Sequence, residues 1–280
     1  MRFTKAHSLG NDFLIVDGDE NAAVPDAAAL ARRVCERHTG VGADGLILVS
    51  LKDRARPLAG FRIFNADGSE AETSGNGLRC AAAYYLLAKA VPGTKIVFQA
   101  ATGERECSLV ESEGRTPRVR VGMGVPSLAS QDIPFDDGSR HASVVDQPLP
   151  VRGQTYLITA VSIGNPHCGI FVSEFPEPDE WRAVGHEIET HPFFPARTNV
   201  EFIRVLSREE IEVRFWERGV GETMASGSGS SAAAVAAIVK GLTDRKVTVR
   251  TALGRLVVEW EKDGVYQTGP VELVFEGQLL

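Results

Sequence analysis

The sequence has few cysteines, and none of them forms a CxxC pair. The four are Cys35, Cys80, Cys107 and Cys168, in a chain of 280 residues. A chain of this length can bury a sizeable core without a disulfide framework, so we expect free thiols. Free thiols are typical of a reducing compartment, and we therefore expect a cytoplasmic protein.

Long hydrophobic runs and basic clusters are also missing. No stretch approaches the roughly 18 apolar residues that a membrane-spanning helix needs, and the opening residues MRFTKAHSLGNDF lack the features of a secretory signal. The net charge is −7, and Lys and Arg occur only in short groups such as Arg32–Arg33. This pattern predicts no nucleic-acid or membrane partner and favours a small-molecule ligand.

What the sequence does contain is an internal repeat with a period near 150 residues. SLGND at Ser8–Asp12 matches SIGNP at Ser162–Pro166, a shift of 154 (162 − 8). Three further matches follow in the same order: Pro25-Asp26 with Pro178-Asp179, Ser74-Gly75-Asn76-Gly77 with Ser226-Gly227-Ser228-Gly229, and Gly103 with Gly254. Their shifts drift only from 153 to 151 (178 − 25, 226 − 74 and 254 − 103). Four ordered matches indicate two halves of one ancestral unit.

Each half is predicted to be α+β. The order in each is strand, helix, strands, a Gly-rich turn, an Ala-rich helix and a two-stranded hairpin. The first helix is predicted over residues 26–38, where Leu30, Val34 and Cys35 share one face. We predict an N-terminal half over residues 1–125 and a C-terminal half over residues 151–280. Residues 126–150, rich in Pro, Asp and Ser, are either a linker or a strand with long loops.

The two Gly-rich turns are the predicted sites of chemistry. Each has a serine, Ser74 or Ser226, directly before an Ala-rich helix. The free N–H groups of a helix start carry partial positive charge, so each turn can hold a carboxylate. Serine and glycine are also ordinary N-cap residues, and that alternative suffices for either turn alone. Two matching turns, however, suit inversion of a stereocentre, which needs a base on one face of a carbon and an acid on the other.

Five segments together resemble the diaminopimelate epimerase family over essentially the whole chain. They are FTKAHSLGNDF, FNADGSEAETSGNGLRC, SIGNPHC, RTNVEF and ERGVGETMASGSGSSAA, in the family's order and spacing. Proline racemases and the phenazine-synthesis isomerase fit less well, because they lack the paired GND and ERG-GET segments.

The resemblance implies two pseudo-symmetric α/β domains with a cleft at their interface, a homodimer, and neither a cofactor nor a metal. It implies a reaction that interconverts LL- and meso-2,6-diaminopimelate by two-base proton transfer at the α-carbon, in lysine and peptidoglycan precursor synthesis. Two cysteines act as base and acid in that family, and in this sequence those positions are Ser74 and Ser226.

Further site residues follow from the same resemblance. His167 and Glu217 are expected to tune the two acid/base residues, without an assignment of which serves which. The expected substrate contacts are Asn11, Asn65, Asn165, Asn199, Glu217 and Arg218, and the expected carboxylate cradle is formed by Gly75, Asn76, Gly227 and Ser228.

Ordinary structural roles are open for most of these residues. The four asparagines Asn11, Asn65, Asn165 and Asn199 lie where turn residues are common. His167 fits a buried core histidine, and Glu217-Arg218 fits a surface ion pair of little energetic value. Cys80 and Cys168 are most simply interpreted as small apolar core residues.

The two serines leave three functional hypotheses. The first is an epimerase in which His167 and Glu217 accept protons through the serine hydroxyls. The second is a protein that binds the substrate but has lost the chemistry, as in a Cys-to-Ser form made to trap a complex. The third is a racemase or dehydratase of the same fold that acts on another amino acid.

Overall fold

The computed structural model describes residues 1–21, 24–72, 74–101, 103–112 and 116–280. It divides the chain into two compact units. Unit 1 contains residues 1–122 and 268–280, and unit 2 contains residues 123–267.

Unit 1 is built from a mixed sheet and two helices. Its elements are β1 (Arg2–Ser8), β2 (Asn11–Asp17), α1 (Ala27–Cys35), β3 (Gly45–Asp53), β4 (Leu58–Asn65), β5 (Glu70–Ala71), α2 (Gly75–Ala83) with a π-helical turn (Tyr84–Ala88), β6 (Lys95–Ala100), β7 (Gly103–Glu111), β8 (Arg118–Gly124) and the last strand, β18 (Glu272–Gln278). The β2–β3 and β4–β6 pairs are parallel, and the other pairs within the unit are antiparallel.

Unit 2 has the same kind of architecture. Its elements are β9 (Gln147–Val151), β10 (Gln154–Ser162), β11 (Pro166–Phe171), α3 (Pro178–Glu189), β12 (Asn199–Val205), β13 (Glu210–Glu217), β14 (Gly221–Thr223), α4 (Gly227–Val239), β15 (Lys246–Thr251), β16 (Gly254–Trp260) and β17 (Val265–Pro270), which continues into unit 1. Here the β11–β12 and β13–β15 pairs are parallel. The predicted α+β class and the predicted strands are therefore confirmed.

The strand registers repeat between the units, which confirms the duplication. In unit 1 Phe13 of β2 pairs with Gly45 of β3. In unit 2 His167 of β11 pairs with Asn199 of β12, so both partners are shifted by 154 residues (167 − 13 and 199 − 45). The other parallel pairs also correspond: Leu58 with Val97, and Glu210 with Thr248. The residues of these paired strands in one half thus have structural counterparts in the other.

The predicted first helix is present but ends at Cys35 rather than at residue 38. Asp26 caps its start by accepting a hydrogen bond from Ala29 N. Glu36 then turns to an extended conformation, and its carboxylate accepts hydrogen bonds from His38 N and Thr39 N. These two N–H groups are therefore satisfied by a side chain instead of by a further helical turn.

The two helices of unit 1 pack on opposite faces of the strands. Leu46 and Phe64 belong to the core cluster that includes Ala31 and Val34 of α1. The next residue along β3, Ile47, lies instead against Gly77 of α2. Because side chains alternate along a strand, the two contacts define opposite faces. All nine residues of α2 are buried.

The structure divides the chain differently from the sequence-based bounds of 1–125, 126–150 and 151–280. Residues 272–278 form β18, which pairs with β1, so the end of the chain lies in unit 1. Residues 126–150 belong to unit 2, where Ile133, Phe135 and Val144 are part of the buried core. These few buried apolar side chains anchor an otherwise polar segment. Among the described residues, none of the helices has the length and apolar character that a membrane crossing requires.

Removal of core volume should destabilise the protein much more than the same change on the surface. Leu46 is 0% exposed, whereas Leu157, also in a strand, is 59% exposed. We expect Leu46→Ala to lower the free energy of unfolding by about 2–5 kcal/mol through lost burial and a residual cavity. We expect Leu157→Ala to change it by less than about 0.5 kcal/mol. Urea unfolding followed by circular dichroism measures both, and equal effects would contradict the packing described for β3.

Candidate active site

The turn before α4 in unit 2 is a capped helix start. Ser226 is the N-cap residue, and its Oγ accepts a hydrogen bond from Gly229 N at 3.2 Å. The N–H groups of Gly227 and Ser228 belong to the first turn and so have no partner within the helix. These two groups, with the positive end of the helix dipole, favour a bound carboxylate.

A carboxyl group lies directly beside this turn. Glu217, at the end of β13, lies near Ser226 and accepts a hydrogen bond from Thr223 Oγ1 at 2.6 Å. Burial raises the pKa of Glu217, although the hydrogen bond from Thr223 and the nearby His167 and Ser226 side chains oppose that shift. A serine hydroxyl near a carboxyl group of raised pKa has a neighbour that can both take and return a proton.

His167 completes the ionisable cluster of unit 2 and is 1% exposed. Its Nε2 lies 3.0 Å from Asn165 Oδ1, and its Nδ1 lies 2.7 Å from Glu201 Oε1. Glu201 is itself 1% exposed, and burial raises its pKa, while His167 opposes the shift. Glu201 was not among the residues that the sequence singled out. Its only signal was an acidic residue in the middle of the apolar strand NVEFIRV.

The turn before α2 in unit 1 has the same backbone plan. Ser74 is its N-cap residue, and Ser74 Oγ accepts a hydrogen bond from Gly77 N at 3.1 Å. The N–H groups of Gly75 and Asn76 are the corresponding ones without partners in the helix. Each turn therefore offers one serine hydroxyl and two free amide groups.

The two turns differ in what lies behind them. The counterparts of His167, Glu201 and Glu217, taken from the strand registers, are Phe13, Ile47 and Asn65. Unit 1 thus places an aromatic, an aliphatic and an amide side chain where unit 2 places three titratable groups.

Side chains of the neighbouring strands approach both turns closely at Gly77 and Gly229. A Cβ at Gly77 would lie 3.1 Å from Ile63 Cδ1 and 3.3 Å from Ile47 Cδ1. A Cβ at Gly229 would lie 2.9 Å from both Glu201 Oε1 and Phe215 Cδ1. The distance from a Cβ at Gly229 to Glu201 Oε1 is shorter than real Cβ atoms show. The carboxylate of Glu201 therefore occupies space that the glycine leaves open.

Asn11 and Asn76 are joined in a hydrogen-bonded chain. Arg79 donates to Asn76 Oδ1, Asn76 Nδ2 donates to Asn11 Oδ1 at 3.0 Å, and Asn11 Nδ2 donates to Asp44 Oδ2 at 2.9 Å. A guanidinium can only donate and a carboxylate can only accept. The two ends of the chain therefore fix which way both amides point.

The remaining predicted contacts have local partners. Asn65 is exposed, and its Nδ2 donates to Ser69 Oγ at 2.9 Å within a turn. Asn199 is buried; its Nδ2 donates to Pro166 O and its Oδ1 accepts from Arg218 N, so its amide holds the backbone of this region. The Arg218 side chain is exposed and donates to Ala196 O at 3.1 Å rather than to Glu217.

The cysteines do not supply a substitute thiol in either turn. Cys80 and Cys168 are 0% exposed, as expected for apolar core residues. Burial raises the pKa of Cys80 to about 12 and raises that of Cys168 well above its usual value. Among the described residues, no group of three or more His, Cys, Asp or Glu side chains is arranged to hold a metal ion.

Known proteins are similar to this chain in sequence and in fold. The sequence model of the family described as diaminopimelate epimerase matches residues 3–129 and 159–274. The diaminopimelate epimerase of Pelotomaculum thermopropionicum is 48% identical over 280 residues, covering 99% of this chain and 98% of that protein. That of Moorella thermoacetica is 47% identical over 279 residues, with the same coverage of both chains.

Two solved structures with low sequence identity have a similar fold. A hydroxyproline epimerase from Agrobacterium vitis matches with a TM-score of 0.70 at 16% identity, covering 99% of this chain and 91% of that one. A methylitaconate-delta-isomerase matches with a TM-score of 0.65 at 12% identity, covering 99% and 95%. At these identities the likeness extends to the fold alone. The family match and the two full-length relatives carry the assignment further: the chain belongs to the diaminopimelate epimerase family.

Proposed function

We propose that this protein is an amino-acid isomerase that interconverts LL- and meso-2,6-diaminopimelate without a cofactor, as a step in lysine and peptidoglycan precursor synthesis. The proposal rests on family membership over the full chain. The structural observation that carries it is the position of Glu217 near the Ser226 side chain, at the capped start of a largely buried helix.

The chemistry requires removal of the α-proton on one face of the carbon and delivery of a proton on the other. Ser226 Oγ can take the α-proton while its own hydroxyl proton passes to Glu217, and the reverse transfer returns a proton to the carbon. The N–H groups of the turn at Ser226 bind the α-carboxylate and stabilise the negative charge that develops beside it. This assignment requires Ser74 to reach the opposite face of the same carbon.

Serine makes this transfer harder than cysteine would. A thiol titrates near pH 8.5 and is readily shifted to about 7 by a helix N-terminus. A serine hydroxyl ionises far less readily, and each pKa unit corresponds to about 1.36 kcal/mol, or a factor of ten in the fraction of base. The carboxyl group of Glu217 offsets part of this disadvantage at Ser226. At Ser74, unit 1 offers only Asn65 in the corresponding position.

Two other functions are compatible with the family but are less well supported. A form that binds diaminopimelate without turnover is favoured by the pair of serines. A racemase or dehydratase acting on another amino acid is favoured only by distant likeness in fold. We also propose a cytoplasmic location, supported by the four buried free thiols, and a homodimer, which is a family expectation that sedimentation analysis can test.

Uptake of deuterium at the α-carbons of LL-diaminopimelate in D₂O tests the proposed reaction. We expect slow uptake by the unaltered protein and uptake at least tenfold faster by a Ser74→Cys, Ser226→Cys double variant, because a thiol is the stronger base near neutral pH. Glu217→Gln should reduce uptake by about 10²-fold or more, since it removes the proton acceptor of Ser226. Mass spectrometry measures all three, and Glu209→Gln, an exposed loop change, is the control.

The outcomes separate the three functions. Uptake by the unaltered protein supports an active isomerase, whereas uptake by the double variant alone supports a binding form that lacks its thiols. If neither protein exchanges or binds diaminopimelate but either exchanges a smaller amino acid, the proposed substrate is wrong. Exchange that survives Glu217→Gln would remove Glu217 from the mechanism.

Diaminopimelate binding tests whether the hydrogen-bonded chain from Arg79 to Asp44 orients the Asn11 amide for substrate binding. Asp44→Asn replaces an acceptor-only group by one that can also donate. The Asn11 side-chain amide can then flip, which exchanges the positions of its oxygen and nitrogen. We expect the Kd to rise about tenfold, equivalent to about 1.4 kcal/mol. Asp53→Asn is the matched control, because it makes the same change at another aspartate of unit 1, one that bonds Arg56 in a turn. Calorimetry that shows equal Kd values for both variants would contradict this role.

A further inference from the structure

Glu201 is a buried carboxylate that the proposed mechanism does not use. It lies on β12 with its side chain 1% exposed, and its Oε2 has no hydrogen-bond partner among the described residues. A buried carboxylate with one unsatisfied oxygen is unfavourable for folding. Its presence therefore calls for a reason other than stability.

The other half of the chain shows that the fold does not need this carboxylate. The strand registers place Ile47 at the corresponding position of unit 1. Ile47 packs against Gly77, as Glu201 packs against Gly229, and the Ser74 turn forms the same capped helix start as the Ser226 turn. An aliphatic residue is thus sufficient to support the turn.

The contact that distinguishes Glu201 from Ile47 is with His167. Glu201 Oε1 lies 2.7 Å from His167 Nδ1, a short distance typical of a charge-assisted hydrogen bond. The second ring nitrogen, Nε2, lies 3.0 Å from Asn165 Oδ1. The counterpart of His167 in unit 1 is Phe13, so the histidine and its carboxylate occur together in one half and are both absent from the other.

We propose that Glu201 is a positioning residue, which accepts a hydrogen bond from His167 Nδ1–H and so fixes the protonated nitrogen and the orientation of the imidazole beside the Ser226 turn. This inference rests on the proposed isomerase function, in which His167 is expected to tune one of the two acid/base residues. Orientation of a histidine by a carboxylate on Nδ1 leaves Nε2 as the nitrogen directed at other partners. The charged groups that face His167 are Glu201 on β12 and Glu217 on β13.

The proton on His167 Nδ1 can be observed directly. In protein labelled with ¹⁵N-histidine, we expect a low-field N–H signal from Nδ1, because the group is buried and bonded to a carboxylate. The signal is assigned by its loss in His167→Gln. We expect it to persist in Glu201→Gln, which retains an acceptor oxygen, and to vanish in Glu201→Ile, which copies the residue of the other half.

The same variants should separate positioning from folding. We expect Glu201→Ile to reduce α-deuterium uptake from diaminopimelate at least tenfold, with partial recovery in Glu201→Gln, while thermal unfolding of both stays within a few degrees of the unaltered protein. Glu212→Gln, which alters a carboxylate paired with Arg204 on the neighbouring strand, is the control. Uptake is measured in the unaltered background and in the Ser74→Cys, Ser226→Cys background.

Several results would overturn the inference. They are absence of the Nδ1–H signal from the unaltered protein, its persistence in Glu201→Ile, or uptake by Glu201→Ile equal to that of the control. Loss of uptake in step with loss of folding in both Glu201 variants would assign a structural role instead. If no background exchanges deuterium, the proposed function fails, and the Nδ1–H signal still decides whether Glu201 holds the proton.

Discussion

Burial of a helix start is the constraint on which the rest of this structure depends. The first turn of a helix has N–H groups without partners in the helix, and in an apolar interior such groups must be bonded or left for a ligand. In α2 and α4 a serine at the N-cap satisfies one of them, and glycines let the neighbouring strands approach. What remains is a pair of amide groups that water or a carboxylate can satisfy. The architecture that buries these Ala-rich helices thus also creates two turns whose amide groups a ligand can bond.

Duplication of this unit provides two turns of equal geometry and unequal chemistry. Registers that repeat over the parallel pairs show that the backbone plan is shared. The side chains at three corresponding strand positions are not shared, since Phe13, Ile47 and Asn65 stand in unit 1 where His167, Glu201 and Glu217 stand in unit 2. An apolar surround favours tight packing, whereas a titratable surround supplies partners for proton transfer. The asymmetry therefore resides in three strand positions rather than in the fold.

Much of this could be predicted from the sequence, because repeats and turns leave local signals. The shift near 150 residues and the capped turns follow from short patterns such as SGNG and SGSG, and the strands follow from short β-branched or aromatic runs. The location of residues 272–278 in unit 1 could not be predicted, because it depends on pairing with β1 at the other end of the chain. The polar composition of residues 126–150 suggested a linker. Three buried apolar side chains nevertheless make this segment part of the core of unit 2. Glu201 was missed because its meaning depends on a neighbour, His167, that lies 34 residues away in sequence.

The distribution of charge explains why the two serines need not be equivalent. Ser226 lies near Glu217, whose pKa is raised by burial, so its hydroxyl has a neighbour that holds a proton more readily than an exposed carboxylate does. Within unit 1, the position of Glu217 is taken by Asn65, whose amide bonds Ser69 and cannot exchange charge. Ser74 therefore depends on the helix dipole and the amide groups of its turn to favour the ionised form. Because the dipole and the amide groups act through partial charges, they stabilise an oxyanion without supplying a proton. Considering each unit by itself, serine is therefore a poorer replacement for a thiol at position 74 than at position 226.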